Sequence, residues 1–158
     1  QPLPGEPIVA GIGCSLGGYH AESGATLVLG EISTEQLRVM RAMAEASAAT
    51  VHALECGWAC SRVNEFALDA IRNAGLADTI RHRIGHGMGV EGHEAPWLAP
   101  GDSTPTTPGM VFSCEPGIYR PGVDGWRTID TLLVGLSGVD LASRFQTDHP
   151  LETRTLSC

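Results

Sequence analysis

The sequence predicts an α+β fold, with helices covering one face of a mainly antiparallel sheet. Two observations carry this. The middle of the chain holds two amphipathic segments at helical spacing. The stretches on either side hold short apolar runs bounded by glycine and proline, so the order is strand, strand, helix, helix, then strands.

The first seven residues contain Pro2, Pro4 and Pro7 and read as an extended lead-in. Ile8 to Cys14 and Gly18 to Leu29 read as strands, with Ser15-Leu16-Gly17 as the turn between them. A helix follows, capped by Ser33, with Gln36 completing a capping box. Leu37, Met40, Met43 or Ala44, Ser47, Val51 and Leu54 form its apolar stripe, opposite Arg38, Arg41 and Glu45. Cys56-Gly57 ends it. A second helix is expected from Ser61 to Asn73, with Val63, Phe66, Ala67, Ala70 and Ile71 inward and Gly75 as its stop. After Thr79 the pattern changes. Residues 84–90 are glycine-rich, and the loop 99–108 holds Pro100, Pro105 and Pro108. Met110 to Cys114 and Thr128 to Val134 read as strands, joined by a turn-rich segment from Pro116 to Gly125.

Composition narrows the function classes. Ten basic against 18 acidic residues give a net charge of −8 over 158 residues, which argues against nucleic acid or an anionic membrane surface as partner. No signal peptide or transmembrane run is visible. Cys14, Cys56, Cys60, Cys114 and Cys158 are odd in number and irregularly spaced. They read as buried or incidental thiols of a reducing compartment, and a cytoplasmic location is expected.

Chemistry concentrates in two segments. In Arg81 to Glu94, three of the six histidines (His82, His86 and His93) lie among glycines. Histidine suits proton transfer and metal binding near neutrality. In Phe112 to Tyr119, Glu115 ends an apolar strand directly before Pro116-Gly117. A carboxylate placed there needs a partner if it is buried.

Together the GHGMGVEGHE and PGMVFSCEPGIY segments resemble the creatinase/aminopeptidase family, which includes methionine aminopeptidases, Xaa-Pro aminopeptidases, prolidases and creatinase. The resemblance runs from about Leu3 to Val134 and also covers Gly5-Glu6-Pro7-Ile8-Val9 and Gly18-Tyr19. It implies the pita-bread fold, a curved sheet covered by helices, present here in part. It further implies that residues 1–158 form a partial catalytic domain lacking the N-terminal portion of the family architecture.

In the family's peptidases, two Asp, one His and two Glu hold a pair of divalent ions. By resemblance these positions fall on Gly11, Glu22, His86, Glu115 and Ile129. Gly11 and Ile129 offer no donor, so a bridged pair is not expected. Asp130, one step along its strand, is expected to face away from the site. His82 and His93 match the further histidines that Xaa-Pro-cleaving members place around the substrate.

The resulting expectation is a hydrolase of a small C–N substrate, metal-independent in the manner of creatinase. His82, His86, His93 and Glu115 would be catalytic, with Glu22, Glu115 and His93 binding substrate. Carboxylates beside the histidines would favour imidazolium. The alternatives are a metal-dependent Xaa-Pro dipeptidase or aminopeptidase, with Mn, Co or Zn on Glu22, His86 and Glu115, and a non-catalytic binding module of the same fold. A small-molecule or dipeptide-like substrate is the expected partner, and the resemblance implies a homodimer for the full-length protein. Trp97, Tyr119 and Trp126 are candidate pocket walls, against the ordinary reading of each as core or surface.

Overall fold

A computed structural model describes residues 1–157. Cys158, read above as an incidental thiol, lies outside the described residues. Strands β1 (Pro7–Leu16) and β2 (Tyr19–Leu29) pair antiparallel from Pro7 opposite Val28 to Leu16 opposite Tyr19. The turn is Gly17-Gly18, later than expected, because these two residues supply φ of 59° and 88°. Positive φ at both central positions is what a tight hairpin of primed type needs. Ser15 and Leu16 therefore stay in the strand.

Helix α1 (Thr34–Glu55) starts on the expected box: the Gln36 N–H donates to Ser33 Oγ, and the Ser33 N–H donates to Gln36 Oε1. Its buried residues include Val39, Met40, Met43, Ala46 and Leu54, while Ala44 and Ala48 are exposed. Helix α2 (Cys60–Asn73) buries Val63, Asn64, Ala67, Leu68 and Ile71. Phe66 departs from expectation and is 41% exposed. It packs edge-on against Trp58 at 5.2 Å, in a surface aromatic cluster with His52.

The second sheet has the order β4-β3-β5-β8-β9, with β3 (Gly85–Gly87), β4 (Glu94–Leu98), β5 (Val111–Cys114), β8 (Asp130–Val134) and β9 (Val139–Leu141). All its pairings are antiparallel. The segment from Pro116 to Gly125 is more ordered than a run of turns. It forms most of a hairpin of β6 (Gly117–Arg120) and β7 (Asp124–Arg127). A short helix α3 (Phe145–Asp148) leads to β10 (Thr155–Leu156), which lies parallel to β2.

The core lies between the helices and the sheets, with Met40, Met43, Leu54, Ile71, Phe112 and Trp126 fully buried. Trp126 is thus core and not a pocket wall. The two larger sheets are stitched together at Gly24 and Ile129, which exchange backbone hydrogen bonds of 2.9 and 2.8 Å. Thr131 adds a second stitch. Its hydroxyl donates to the Glu22 carbonyl at 2.8 Å, and its Oγ1 accepts from the Glu22 N–H at 2.9 Å. This seam brings β2 against the strands that carry His86 and precede Glu115. Among the described residues no helix is long and apolar enough to cross a membrane. Cys14 and Cys56 are exposed, Cys60 and Cys114 are buried, and all four are free.

Candidate active site

His86 sits on β3, opposite Ser113 of β5. A buried side chain of α2 holds the approach to it: Asn64 Oδ1 accepts from the Ile84 N–H at 2.9 Å. The His86 ring is 2% exposed, and its Nδ1 lies 3.0 Å from the Gly87 carbonyl. A carbonyl only accepts, so Nδ1 carries the hydrogen and Nε2 is left to face the site. There Nε2 meets Glu115 Oε1 at 3.1 Å and Glu22 Oε1 at 3.6 Å.

Two carboxylates converging on one imidazole nitrogen shift all three groups. Burial raises Glu22, and the facing Glu115 raises it further. Burial also disfavours charge on Glu115. Its hydrogen bonds with His86, Glu22 and Ser113 outweigh that and hold it well below the usual carboxylate range. At His86 burial opposes the charged ring, but the Glu115 bond and the Gly87 carbonyl prevail and raise it. Glu115 therefore keeps its charge, and Glu22 is the carboxyl that more readily holds a proton.

His93 is exposed and stacks on His86 with ring centroids 4.0 Å apart. His82 is held in a separate arrangement. Its Nε2 lies 2.9 Å from the Tyr119 hydroxyl, which also accepts from Arg127 Nε at 2.7 Å. Tyr119 thus orients a histidine, while Trp97 lies 6.4 Å from His86. A cavity of about 320 Å³ opens beside Glu22 and His93, walled by Gly13, Cys14, His20 and Met88. That is within the range for small ligands. His20 and Ser113 escaped notice in the sequence. The signal for His20 was present, because it stands two residues before Glu22 and so shares its strand face. Ser113 fixes Glu115 by donating to Oε1 at 3.0 Å.

Donor chemistry fits one divalent ion. His86, His93 and Glu115 present ligand atoms within 4.8 Å of one another. Glu22 Oε1 is buried without a hydrogen-bond partner among the described residues, close to His86. Nitrogen and carboxylate donors of this kind suit Zn or Mn. A second ion does not fit. Ile129 is 8% exposed, and its Cδ1 lies 3.2 Å from where a Cβ on Gly11 would stand. An apolar side chain thus occupies the space of the missing donors. Asp130 does not replace them. It pairs with Cys114, one step out of phase with Ser113, and lines a cavity against α1.

The profile of Metallopeptidase family M24 matches residues 2–135. Among curated relatives, "Probable dipeptidase PepE" of Mycobacterium tuberculosis is 37% identical over 135 residues, covering 85% of this chain and 36% of the relative. "Xaa-Pro dipeptidase" of Pyrococcus furiosus is 32% identical over 134 residues, covering 85% of this chain and 38% of the relative. Among solved structures, dipeptidase PepE from Mycobacterium ulcerans superposes with a TM-score of 0.89 at 33% identity, over 99% of this chain and 41% of that one. The chain spans about 36–38% of the length of those curated relatives. With the pita-bread architecture shared and the family profile matched across most of its length, this chain belongs to metallopeptidase family M24.

Proposed function

We propose that the chain carries the catalytic part of a hydrolase that cleaves the C–N bond of a dipeptide-like substrate, in the manner of an Xaa-Pro dipeptidase. The observation that carries this is His86 Nε2, turned by the Gly87 carbonyl toward two carboxylate oxygens at 3.1 and 3.6 Å. That arrangement suits a cation between its members. His86 and Glu115, of the group that also includes His93, would hold a single divalent ion, with Glu22 Oε1 at 3.6 Å from His86 Nε2 as the third ligand in place of His93. Such an ion supplies Lewis acidity and an activated water when bound. Ser113 keeps Glu115 oriented. His93, exposed beside the cavity and stacked on His86, would donate a hydrogen bond to the scissile carbonyl as charge develops on its oxygen. The small cavity favours a substrate of about two residues. The names of the relatives support this peptidase reading over the metal-independent one expected from Gly11 and Ile129. The limited share of those relatives that the chain spans supports reading residues 1–158 as part of a longer catalytic domain.

One observation favours a second reading. Ile129 fills the space beside Gly11, as in a site that works without a metal pair. In that case a cationic substrate group would lie between Glu22 and Glu115, and hydrolysis would be metal-independent. A single series separates the two. Protein stripped with chelator is assayed on Xaa-Pro dipeptides and on guanidino acids, with and without Mn or Zn, alongside metal analysis. The first reading expects Xaa-Pro hydrolysis restored by metal, at no more than one ion per chain, and lowered at least ~10²-fold in His86→Ala. Chelator-resistant turnover of guanidino acids would replace it with the second. Unchanged turnover in His86→Ala would overturn both.

A further inference from the structure

The face of β1 and β2 that looks into the candidate site is read rung by rung from their register. Gly11 stands opposite Gly24, Gly13 opposite Glu22, and Ser15 opposite His20. Residues directly opposite one another share a face, and so do residues two apart. The Gly11 rung is closed, because Ile129 Cδ1 lies 3.2 Å from where a Gly11 Cβ would stand. The Gly13 rung is open, and a Cβ there would meet nothing within 4 Å. The site cavity of about 320 Å³ therefore extends away from Gly11, past Gly13 to Ser15 and His20.

The outermost rung has a defined polarity. His20 Nδ1 lies 3.3 Å from the Gly89 carbonyl, which also accepts from the His20 N–H at 2.8 Å. A carbonyl only accepts, so Nδ1 carries the hydrogen and Nε2 is left as an acceptor. Ser15, across from it, adds a hydroxyl, and both residues are exposed. The loop joined to His20 at Gly89 carries Glu91 and Glu94, and Glu94 Oε2 braces it by accepting from the Glu91 N–H at 2.9 Å. No lysine or arginine lines the cavity, and Met88, 4% exposed, gives it an apolar wall. Ser15 and His20 lie two residues beyond Gly13 and Glu22, about 7 Å along the strands. A group held there is a side chain's length from His86 and Glu115. The α-amino nitrogen of a cleaved dipeptide does not reach it, because that nitrogen is two bonds from the scissile carbon.

We propose that Ser15 and His20 form a specificity seat for a primary ammonium at the end of a substrate side chain, so that the preferred dipeptide carries lysine or ornithine ahead of the scissile bond. The inference rests on the peptidase reading for the bond that is cleaved, and on the register of β1 and β2 for the seat. The ammonium donates to His20 Nε2 and Ser15 Oγ. Its methylene stem passes over Gly13, where a side chain would stand in its way, and lies along Met88. Glu22 at the inner end and Glu91 and Glu94 on the loop make the surroundings negative. A carboxylate in the same place brings no hydrogen for Nε2 and meets charge of its own sign.

Lys-Pro is compared with norleucyl-proline, which lacks only the terminal amine, and with Glu-Pro. Binding is read from amide chemical shifts of the full ¹⁵N-labelled chain after chelator treatment, and hydrolysis is assayed separately with Mn²⁺ restored. Lys-Pro is expected to bind at least about tenfold more tightly than norleucyl-proline, with Glu-Pro weakest, and to move the amides of Ser15, His20 and Gly89. The order of kcat/KM should be the same. His20→Asn keeps a donor for the Gly89 carbonyl where Nδ1 stood and removes Nε2. It should bring Lys-Pro and norleucyl-proline to within about twofold of each other, at an unchanged thermal midpoint. Gly13→Val raises a side chain into the open rung and should weaken Lys-Pro by at least about tenfold. If that variant does not fold, His20→Asn, at an exposed position, still decides. The seat is overturned if Lys-Pro causes no saturable shifts, if the parent binds Lys-Pro and norleucyl-proline equally, or if the preference survives His20→Asn. A binding preference without Xaa-Pro hydrolysis would strike the peptidase reading and leave the seat standing. Hydrolysis without the preference would do the reverse.

Discussion

Gly11 and Ile129 define each other. Neither carries a donor atom, and that much was legible in the sequence. What the sequence could not carry is their contact. Ile129 Cδ1 stands 3.2 Å from the place of a Gly11 Cβ and 2.8 Å from that of a Gly24 Cβ, so any side chain at either glycine meets it. The distance arises from the seam between two sheets, and no local pattern encodes it. Gly11→Asp alone should therefore destabilise the chain by about 1–3 kcal/mol through overpacking, read as a lowered urea midpoint at unchanged slope. Adding Ile129→Glu removes the obstacle and places two carboxylates beside Glu22 and Glu115. Titration calorimetry of the double variant with Mn²⁺ should give two ions per chain, against no more than one for the parent. The metal should also raise the thermal midpoint of the double variant more than that of the parent. Unchanged stoichiometry would show that the missing donors are not what limits the site.

At the scale of elements, start and stop signals were the most legible, because they are local. Ser33 with Gln36 opens α1, and Gly57 (φ 65°) and Gly75 (φ 74°) follow the ends of the two main helices. Facing was less legible. Phe66 was read as inward from its helical spacing, yet Trp58 and His52 give it apolar cover at the surface. The β6–β7 hairpin was hidden by its own glycines and its strands of four residues each. Asn64 was invisible because its value is tertiary. It is a fully buried polar residue on α2, and it holds the N–H of Ile84 two residues before His86. Asn64→Leu keeps the size but orphans that N–H, at a cost of about 1–3 kcal/mol. Chemical denaturation should show this loss. Xaa-Pro hydrolysis should fall even under conditions where the variant is fully folded, because the start of β3 is no longer fixed. A stability loss with full activity retained would limit Asn64 to a structural role.

For the whole molecule, the informative asymmetry is between the two sheet edges near the site. On one side β2 is flanked by β10, which is short and followed closely by the end of the described chain. On the other side β1 runs for 10 residues as the outer strand, with Ile12 and Leu16 toward its far end 71% and 88% exposed and Tyr19, opposite Leu16 on β2, 67% exposed. An outer strand of this length offers a row of unpaired backbone groups beside apolar side chains. It carries no lysine, arginine or inward charge, and its only proline is at its first residue, Pro7. It therefore lacks the devices that keep edges from pairing. The net charge of −8 opposes close approach only over a screened distance at physiological salt. The chain as given should therefore self-associate through β1, two copies pairing antiparallel about a two-fold axis. Light scattering coupled to size exclusion should show a mass that rises with concentration, and more steeply at higher salt as the charge is screened. Ile12→Lys with Leu16→Lys should return the mass to 16.6 kDa without shifting the thermal midpoint by more than a few degrees, since both positions are exposed. A parent chain that stays at monomer mass across the concentration range would show that the β1 edge is protected by its twist alone.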